Sequence, residues 1–272
     1  MRLPKPEPLF FSGGGVSRWL GLLFILSLVA GCAGLSQRPF PVDEVTSGQV
    51  LESLRQKEAS ISALKGLFQV SIFGAGIPLA QDLNGVVAYH QPDLVHLKGY
   101  IRLGVPVLDF QREGNHYELV FPAEGRVVSG QVDGPRQESE WDQAVLLSLR
   151  ALDAVLGKIA GLAGTTAQVL TDGQFYRIDQ VLPSSEISGS SSDVFVRTRV
   201  DTQTLEVSSI EYFQPEDDLV VSVECEDYRV VKNRQSNDAP MVRLPFRVRA
   251  KDHRVLGGTV TLTFREFILN AA

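Results

Sequence analysis

The chain has 272 residues, 44% hydrophobic and 21% charged, so it holds enough apolar material for a folded core. Its formal net charge is −6, and without the first 31 residues the balance is −8. That acidic balance argues against binding to nucleic acid, which requires clustered cations. The two cysteines, Cys32 and Cys225, offer neither a disulfide framework nor a cysteine-based metal cluster.

The N-terminal segment has the pattern of a secretory signal. Arg2, Lys5 and Arg18 precede an apolar run of about twelve residues at 19–30, which is shorter than the roughly 20 residues of a membrane span. The run ends in Leu28-Val29-Ala30-Gly31-Cys32, which resembles the lipobox of bacterial lipoproteins. The resemblance implies cleavage before Cys32 and acylation of that residue by diacylglycerol and an N-acyl group. The alternative is an ordinary signal peptide with a chance cysteine.

The residue after the cysteine bears on the destination of the protein. Ala33 rather than Asp follows Cys32, a pattern that resembles sorting to the outer membrane. We therefore expect a signal peptide at 1–31, a tether at 32–43 and a folded domain at 44–272. Stable anchoring requires more than one acyl chain, which such a modification supplies. The expected location is the periplasmic face of the outer membrane, with no cofactor beyond the acyl groups.

The folded domain begins with a helix and continues as strands. A helix is predicted at 44–59, where Val50, Leu51 and Leu54 share one face. The hydrophobic period then changes to two, and turn signals separate the runs, which predicts an antiparallel meander. The runs are Phe68–Ile72, Leu83–Tyr89, Val95–Leu97, Leu108–Phe110 and Tyr117–Phe121.

An apolar helix predicted at 141–161 interrupts the strands. Its stripe is wider than a surface helix needs, which indicates a plug in the core or a mobile lid over a cavity. A sheet this long must curl. The later strands are Phe175–Val181, Asp193–Val200, Leu205–Phe213, Leu219–Val231, Val242–Ala250 and Val255–Phe267, and a Ser/Gly loop lies at Ser184–Ser192.

The order of these elements resembles the periplasmic lipoprotein-localisation superfamily (LolA/LolB-like), closest in type to its outer-membrane receptor. The resemblance rests on the order and spacing of 61–70, 91–110, 117–130 followed by the apolar helix, and 245–270. It implies a mainly β fold with helices (α+β), an incomplete antiparallel β-barrel of about eleven strands capped by helices. The interior of such a barrel receives acyl chains. The greater length of this chain and the Ser184–Ser192 loop depart from the receptor.

One residue of the receptor carries over, and a set of cavity residues is predicted beside it. Leu103, in the step Leu103-Gly104, matches a loop leucine that assists membrane insertion; the alternative is a half-buried turn leucine. The loop at 73–79 is also apolar, and it either contacts a membrane or partner or folds back onto the core. The predicted ligand cavity is lined by Phe68, Val70, Ile72, Val95, Leu97, Leu108, Phe110, Leu149, Leu152 and Leu156.

Residues for catalysis are not evident in the sequence. His90 and His96 could approach each other across the Pro92 turn, but without a convincing third ligand they are better interpreted as an exposed pair than as a zinc site. Glu224 and Glu226 are expected on the face of a strand opposite to Cys225. No nucleophile elbow, phosphate loop or dinucleotide fingerprint occurs. We therefore predict a non-enzymatic protein without a metal.

The functional hypothesis is an anchored protein that binds acyl chains of lipoproteins or lipids and aids their localisation to the outer membrane. Its partners would be acylated lipoproteins or lipids, the membrane and a soluble periplasmic carrier. The alternative is a structural or accessory lipoprotein that keeps the fold without transferring lipid.

Overall fold

One antiparallel sheet of fourteen strands dominates the structure, which is a computed structural model. It describes residues 40–41, 44–74, 77–101, 103–131, 140–159, 167–182, 194–214, 217–231, 241–254 and 257–270. The predicted signal peptide, Cys32 and the Ser184–Ser192 loop lie outside these residues. The elements in chain order are β1 (Phe40–Pro41), α1 (Glu44–Ala59), β2 (Ala63–Gly74), β3 (Ile77–His90), β4 (Leu94–Tyr100), β5 (Pro106–Glu113), β6 (His116–Phe121), β7 (Arg126–Gln131), α2 (Glu140–Val155), β8 (Gln168–Thr171), β9 (Phe175–Leu182), β10 (Val194–Asp201), β11 (Val207–Gln214), β12 (Asp218–Val231), β13 (Val242–Asp252) and β14 (Thr259–Leu269).

The sheet consists of two meanders joined through β14 and β2. Its strand order is β1, then β8 to β14, then β2 to β7. The join is the antiparallel pair β14–β2, in which Leu262 lies opposite Val70 and Leu269 opposite Leu64. Residues almost 200 positions apart therefore form the centre of the sheet.

The fold is mainly β with two described helices, as expected. The described residues form fourteen strands, more than the sequence predicted. About eleven strands were predicted, and the three that were missed are β1, β7 and β8. The missed strands are two to six residues long, and β7 and β8 show no clear alternation of buried and exposed residues. Phe40 and Pro41, in the predicted tether, pair with Thr171 and Leu170 at one edge of the sheet. Helix α1 has the predicted bounds.

Helix α2 ends six residues before the predicted residue 161. The Lys158 N–H donates to the Asp153 carbonyl (2.9 Å), and the Gly157 N–H donates to the Ala154 carbonyl (3.2 Å). Gly157 has a φ of +71°, so these bonds form a Schellman motif that closes the helix. Glycine adopts this left-handed conformation without a steric penalty, which is why the helix stops here.

Helix α2 packs on β12, β13 and β14, the central strands of the sheet. Strand β2 shows the alternation that creates the inner face. Every second residue from Leu64 to Ile72 is buried, and the residues that alternate with them are half-buried or exposed. Neither of the two described helices has the length and apolar character needed to cross a membrane.

Candidate functional site

An apolar cavity lies between α2 and the inner face of β2 to β6. Its volume is about 50 Å³. Nine of the ten predicted cavity residues line it: Phe68, Val70, Ile72, Val95, Leu97, Leu108, Phe110, Leu149 and Leu152. The lining also includes Leu83, Gly99, Leu119, Val145, Ser148 and Leu262, which were not predicted.

The tenth predicted residue, Leu156, does not line the cavity. It follows the end of α2 and is buried in the core. The prediction assumed a longer helix, in which Leu156 would repeat the position of Leu152 one turn later. Hydrophobic alternation could have identified Leu83, which belongs to the same run as Val87 and Tyr89, but no local signal distinguishes Gly99.

Two glycines lie in one cross-strand row at the cavity wall. The row runs from Phe68 on β2 to Gly85 on β3, Gly99 on β4 and Leu108 on β5. A Cβ at Gly85 would lie 2.3 Å from the Phe68 ring, so that ring occupies the space above Gly85. At Gly99 a Cβ would lie 3.3 Å from the Leu108 Cβ and 3.6 Å from the Leu83 Cδ1. Gly99 therefore lines the cavity at a point where the neighbouring side chains leave little room for a Cβ.

The residues that line the cavity are spread along the strands. Val95 shares a cross-strand row with Leu64, and Ile72 lies eight residues further along β2. At 3.3 Å per residue, this distance is roughly 26 Å. The wall is less covered on β4 and β5, where Leu97 and Leu108 are half-buried. The apolar surface thus continues from the interior toward solvent.

A charged network closes the Val95 end. The Lys158 Nζ donates to the Asp93 carboxylate (2.7 Å) and lies 4.8 Å from the centroid of the Tyr89 ring. Burial opposes the charge of Lys158, but the hydrogen bond to Asp93 and nearby acidic groups hold its pKa above the ordinary value. Arg112 of β5 lies 3.7 Å from Asp153 of α2. These pairs connect the end of α2 to β3, β4 and β5.

The opposite end of the sheet carries an exposed apolar loop. Leu103 is 88% exposed in the turn between β4 and β5, where the Gly104 N–H donates to the Ile101 carbonyl (2.9 Å). The half-buried alternative for Leu103 is therefore wrong. Phe73, at the end of β2, is 71% exposed and lies at the same end of the sheet. The uncovered part of the cavity and these two side chains share one end.

A second concavity lies on the outer face of the sheet. It has a volume of about 410 Å³ and an apolar floor that includes Leu67, Val86 and Ala88. Lys65 and Lys98 stand at its rim. No described helix covers this groove, so a chain bound there would lose less contact with water than one beneath α2.

Among the described residues, no group of three or more His, Cys, Asp or Glu side chains could hold a metal ion. His96 pairs with Asp109 (2.8 Å), and His90 is exposed. Glu224 lies on the outer face, opposite to Cys225 as predicted, and pairs with Arg249 at 3.1 Å.

Cys225 is buried on the inner face of β12. Burial raises the pKa of its thiol to about 12, so almost none of it is thiolate at neutral pH. We expect a Cys32→Ser variant, in which Cys225 is the remaining cysteine, to react with a thiol reagent at pH 8 roughly 100-fold more slowly when folded than in urea. Equal rates in the two conditions would contradict this expectation.

Comparison with solved structures identifies the fold. A domain from Vibrio parahaemolyticus named as an outer membrane lipoprotein-sorting protein aligns with a TM-score of 0.54 and 10% identity, covering 82% of this chain and 92% of that one. A DUF1329 family protein from Desulfovibrio piger aligns with a TM-score of 0.55 and 12% identity, covering 85% and 95%. A LolA superfamily protein from Nitrosomonas europaea aligns with a TM-score of 0.52 and 11% identity, covering 82% and 94%. The chain therefore has a LolA/LolB-like fold.

The sequence comparisons add nothing to this assignment. No protein-family model and no curated protein matches the chain. At 10–12% identity the structural likeness concerns the fold alone.

Proposed function

We propose that the chain is a lipid-anchored protein of the bacterial envelope that binds acyl chains in the apolar cavity under α2. The anchor would be the acyl groups on Cys32, and the location the periplasmic face of the outer membrane. Bound lipoproteins or lipids would pass between a soluble carrier, the cavity and the bilayer without a covalent step. The observation that carries the proposal is the cavity itself, which is apolar, enclosed by α2 and adjacent to an exposed apolar loop.

The cavity must widen to hold a ligand. Its volume of about 50 Å³ is far below the roughly 300 Å³ or more of sites for drug-sized ligands. Helix α2 packs on β12 to β14, so it would move away from β2 to β6 without leaving its main support. Each buried methylene contributes ~0.8 kcal/mol, and a chain of about sixteen carbons therefore gains on the order of 10 kcal/mol. This free energy of burial offsets the free-energy cost of moving α2 to open the cavity.

The small volume also supports a second candidate function. A structural or accessory lipoprotein would keep the fold with a filled interior and carry no lipid. Mass spectrometry of organic extracts from the purified Cys32→Ser variant separates the two functions, because this variant carries no acyl chains of its own. Recovery of an acylated ligand supports the carrier; if none co-purifies and none binds on addition, the carrier hypothesis fails.

The exposed loop gives a prediction about membranes. We expect Leu103→Glu to weaken binding of the Cys32→Ser protein to anionic phospholipid vesicles about tenfold or more, because the leucine can no longer enter the acyl region. The matched control is Met241→Glu, since Met241 is 71% exposed at the opposite end of the sheet. Vesicle co-sedimentation measures both. If Leu103→Glu binds vesicles as well as the Met241→Glu protein does, Leu103 has no role in insertion.

A further inference from the structure

Two buried polar side chains on β9 and β10 make no hydrogen bond among the residues that the structure describes. Gln180 is 1% exposed and Thr198 is 0% exposed. Within the described part of the chain, no hydrogen-bond partner is available to three side-chain atoms, which are the Gln180 Oε1, the Gln180 Nε2 and the Thr198 Oγ1. Gln180 lies opposite Val196, and Thr198 lies opposite Ile178, so the two side chains are diagonal neighbours on one face. Diagonal neighbours lie roughly 7 Å apart, within reach of one small polar group.

This face is the inner face of the sheet. Val196 and Ile178 are fully buried beside the pair. The same cross-strand row continues from Gln180 and Val196 to Tyr212 on β11. The guanidinium of Arg150 on α2 lies 4.9 Å from the centroid of the Tyr212 ring. Thr198 therefore lies one strand, and Gln180 two strands, from the point on β11 that α2 contacts. The cavity lies on the other side of α2, against β2 to β6.

Unpaired buried polar groups destabilise a fold, and apolar residues of the same shape would avoid that cost. A carboxamide and a hydroxyl without partners each weaken the empty protein, because they lose their hydrogen bonds to water. Methionine has nearly the shape of glutamine, and valine that of threonine. The presence of two such groups side by side is accounted for if a ligand pairs with them.

We propose that Gln180 and Thr198 form an internal subsite for the linkage group of an amide-linked acyl chain. The acyl carbonyl oxygen accepts a hydrogen bond from the Gln180 Nε2. The amide N–H points to the opposite side of a trans amide and donates to the Thr198 Oγ1. An ester has no N–H, so it cannot donate to the Thr198 Oγ1, and a hydrocarbon pairs with neither side chain. This inference rests on the proposed acyl-binding function and adds the class of ligand.

The test compares three chains of similar length in the Cys32→Ser background: N-methylhexadecanamide, methyl hexadecanoate and heptadecane. Their affinities are measured by displacement of a fluorescent fatty acid. In the Gln180→Met/Thr198→Val double variant we expect affinity for the amide to fall about tenfold, or ~1.4 kcal/mol, and affinity for heptadecane to be unchanged. We also expect the melting temperature of the empty double variant to rise.

A matched control is available on the outer face of the sheet. Gln69 lies directly opposite Thr263, and the Gln69→Met/Thr263→Val pair makes the same chemical change away from the interior. This control should bind all three chains as the parent protein does.

The outcomes separate the inference from the function beneath it. If the double variant binds all three chains like the parent protein, the subsite does not exist, while the acyl-binding function stands. If the parent protein binds none of the three, the proposed function fails. If the melting temperature of the empty double variant falls, the two groups already stabilise the empty fold, and the inference is wrong.

Discussion

Replacement of Asn270 by alanine is expected to lower the free energy of unfolding by about 3 kcal/mol. The Asn270 Oδ1 accepts hydrogen bonds from the Ser62 N–H (2.9 Å), the Ser62 hydroxyl (2.9 Å) and the Ala63 N–H (3.0 Å). Its Nδ2 donates to the Ser60 carbonyl (2.9 Å). Each such bond contributes roughly 0.5–1.5 kcal/mol, and Asn270 also has a φ of +49°, which alanine adopts at a cost of about 1 kcal/mol.

Two further variants separate these contributions. Asn270→Gly loses the same four hydrogen bonds but tolerates the positive φ, so it should recover about 1 kcal/mol relative to Asn270→Ala. Asn84→Ala is the control, because within the described part of the chain the Asn84 side chain makes a single long hydrogen bond, accepted from Arg265 at 3.4 Å. Urea unfolding measures all three. An Asn270→Ala protein as stable as the Asn84→Ala protein would show that the side chain does not hold the last strand to the start of β2.

Filling the cavity at Gly99 is expected to reduce acyl-chain binding tenfold or more. A valine at position 99 would place its side chain in the cavity wall, against Leu83 and Leu108. Valine suits a strand, so the sheet should tolerate the residue, although the approach to the Leu108 Cβ is tight at 3.3 Å. The ligand must then displace a side chain as well as α2. Displacement of a fluorescent fatty acid from the Cys32→Ser protein measures the loss.

The control for Gly99→Val distinguishes the two concavities. Ala88→Leu adds a larger side chain to the outer groove, on the opposite face of the same sheet. It should leave acyl-chain binding unchanged if the ligand enters the cavity under α2. If Ala88→Leu abolishes binding and Gly99→Val does not, the outer groove is the site. Circular dichroism of both variants confirms that a loss of binding does not reflect a loss of fold.

Much of the cavity wall could be predicted from the local alternation of hydrophobic residues in the sequence. Alternation along a strand places every second residue on one face, so the runs around Phe68 and Phe110 could be assigned to an inner surface without knowing their partners. The same rule separated Cys225 from Glu224. Strand β7 contains no buried residue, and β1 and β8 are only two and four residues long, so none of the three shows a clear alternation in the sequence.

Pairing and volume depend on parts of the chain that are distant in sequence. Nothing near Gly99 indicates that it lies beside Gly85 and the Phe68 ring, because that row exists only once β2, β3 and β4 are in register. The small volume of the cavity likewise depends on how closely α2 approaches the sheet. The four hydrogen bonds of Asn270 span more than 200 residues, so no local pattern indicates them.

The sequence by itself determined the change from helical to strand periodicity, the apolar inner faces and the lipobox-like segment at Cys32, because each depends on neighbours within a few residues. Only the tertiary structure decided that β14 joins β2, that Leu103 is exposed, and that Gln180 and Thr198 are buried together with no hydrogen-bond partner among the described residues. These properties arise when separate segments meet, since burial and hydrogen bonding belong to pairs of surfaces rather than to one strand.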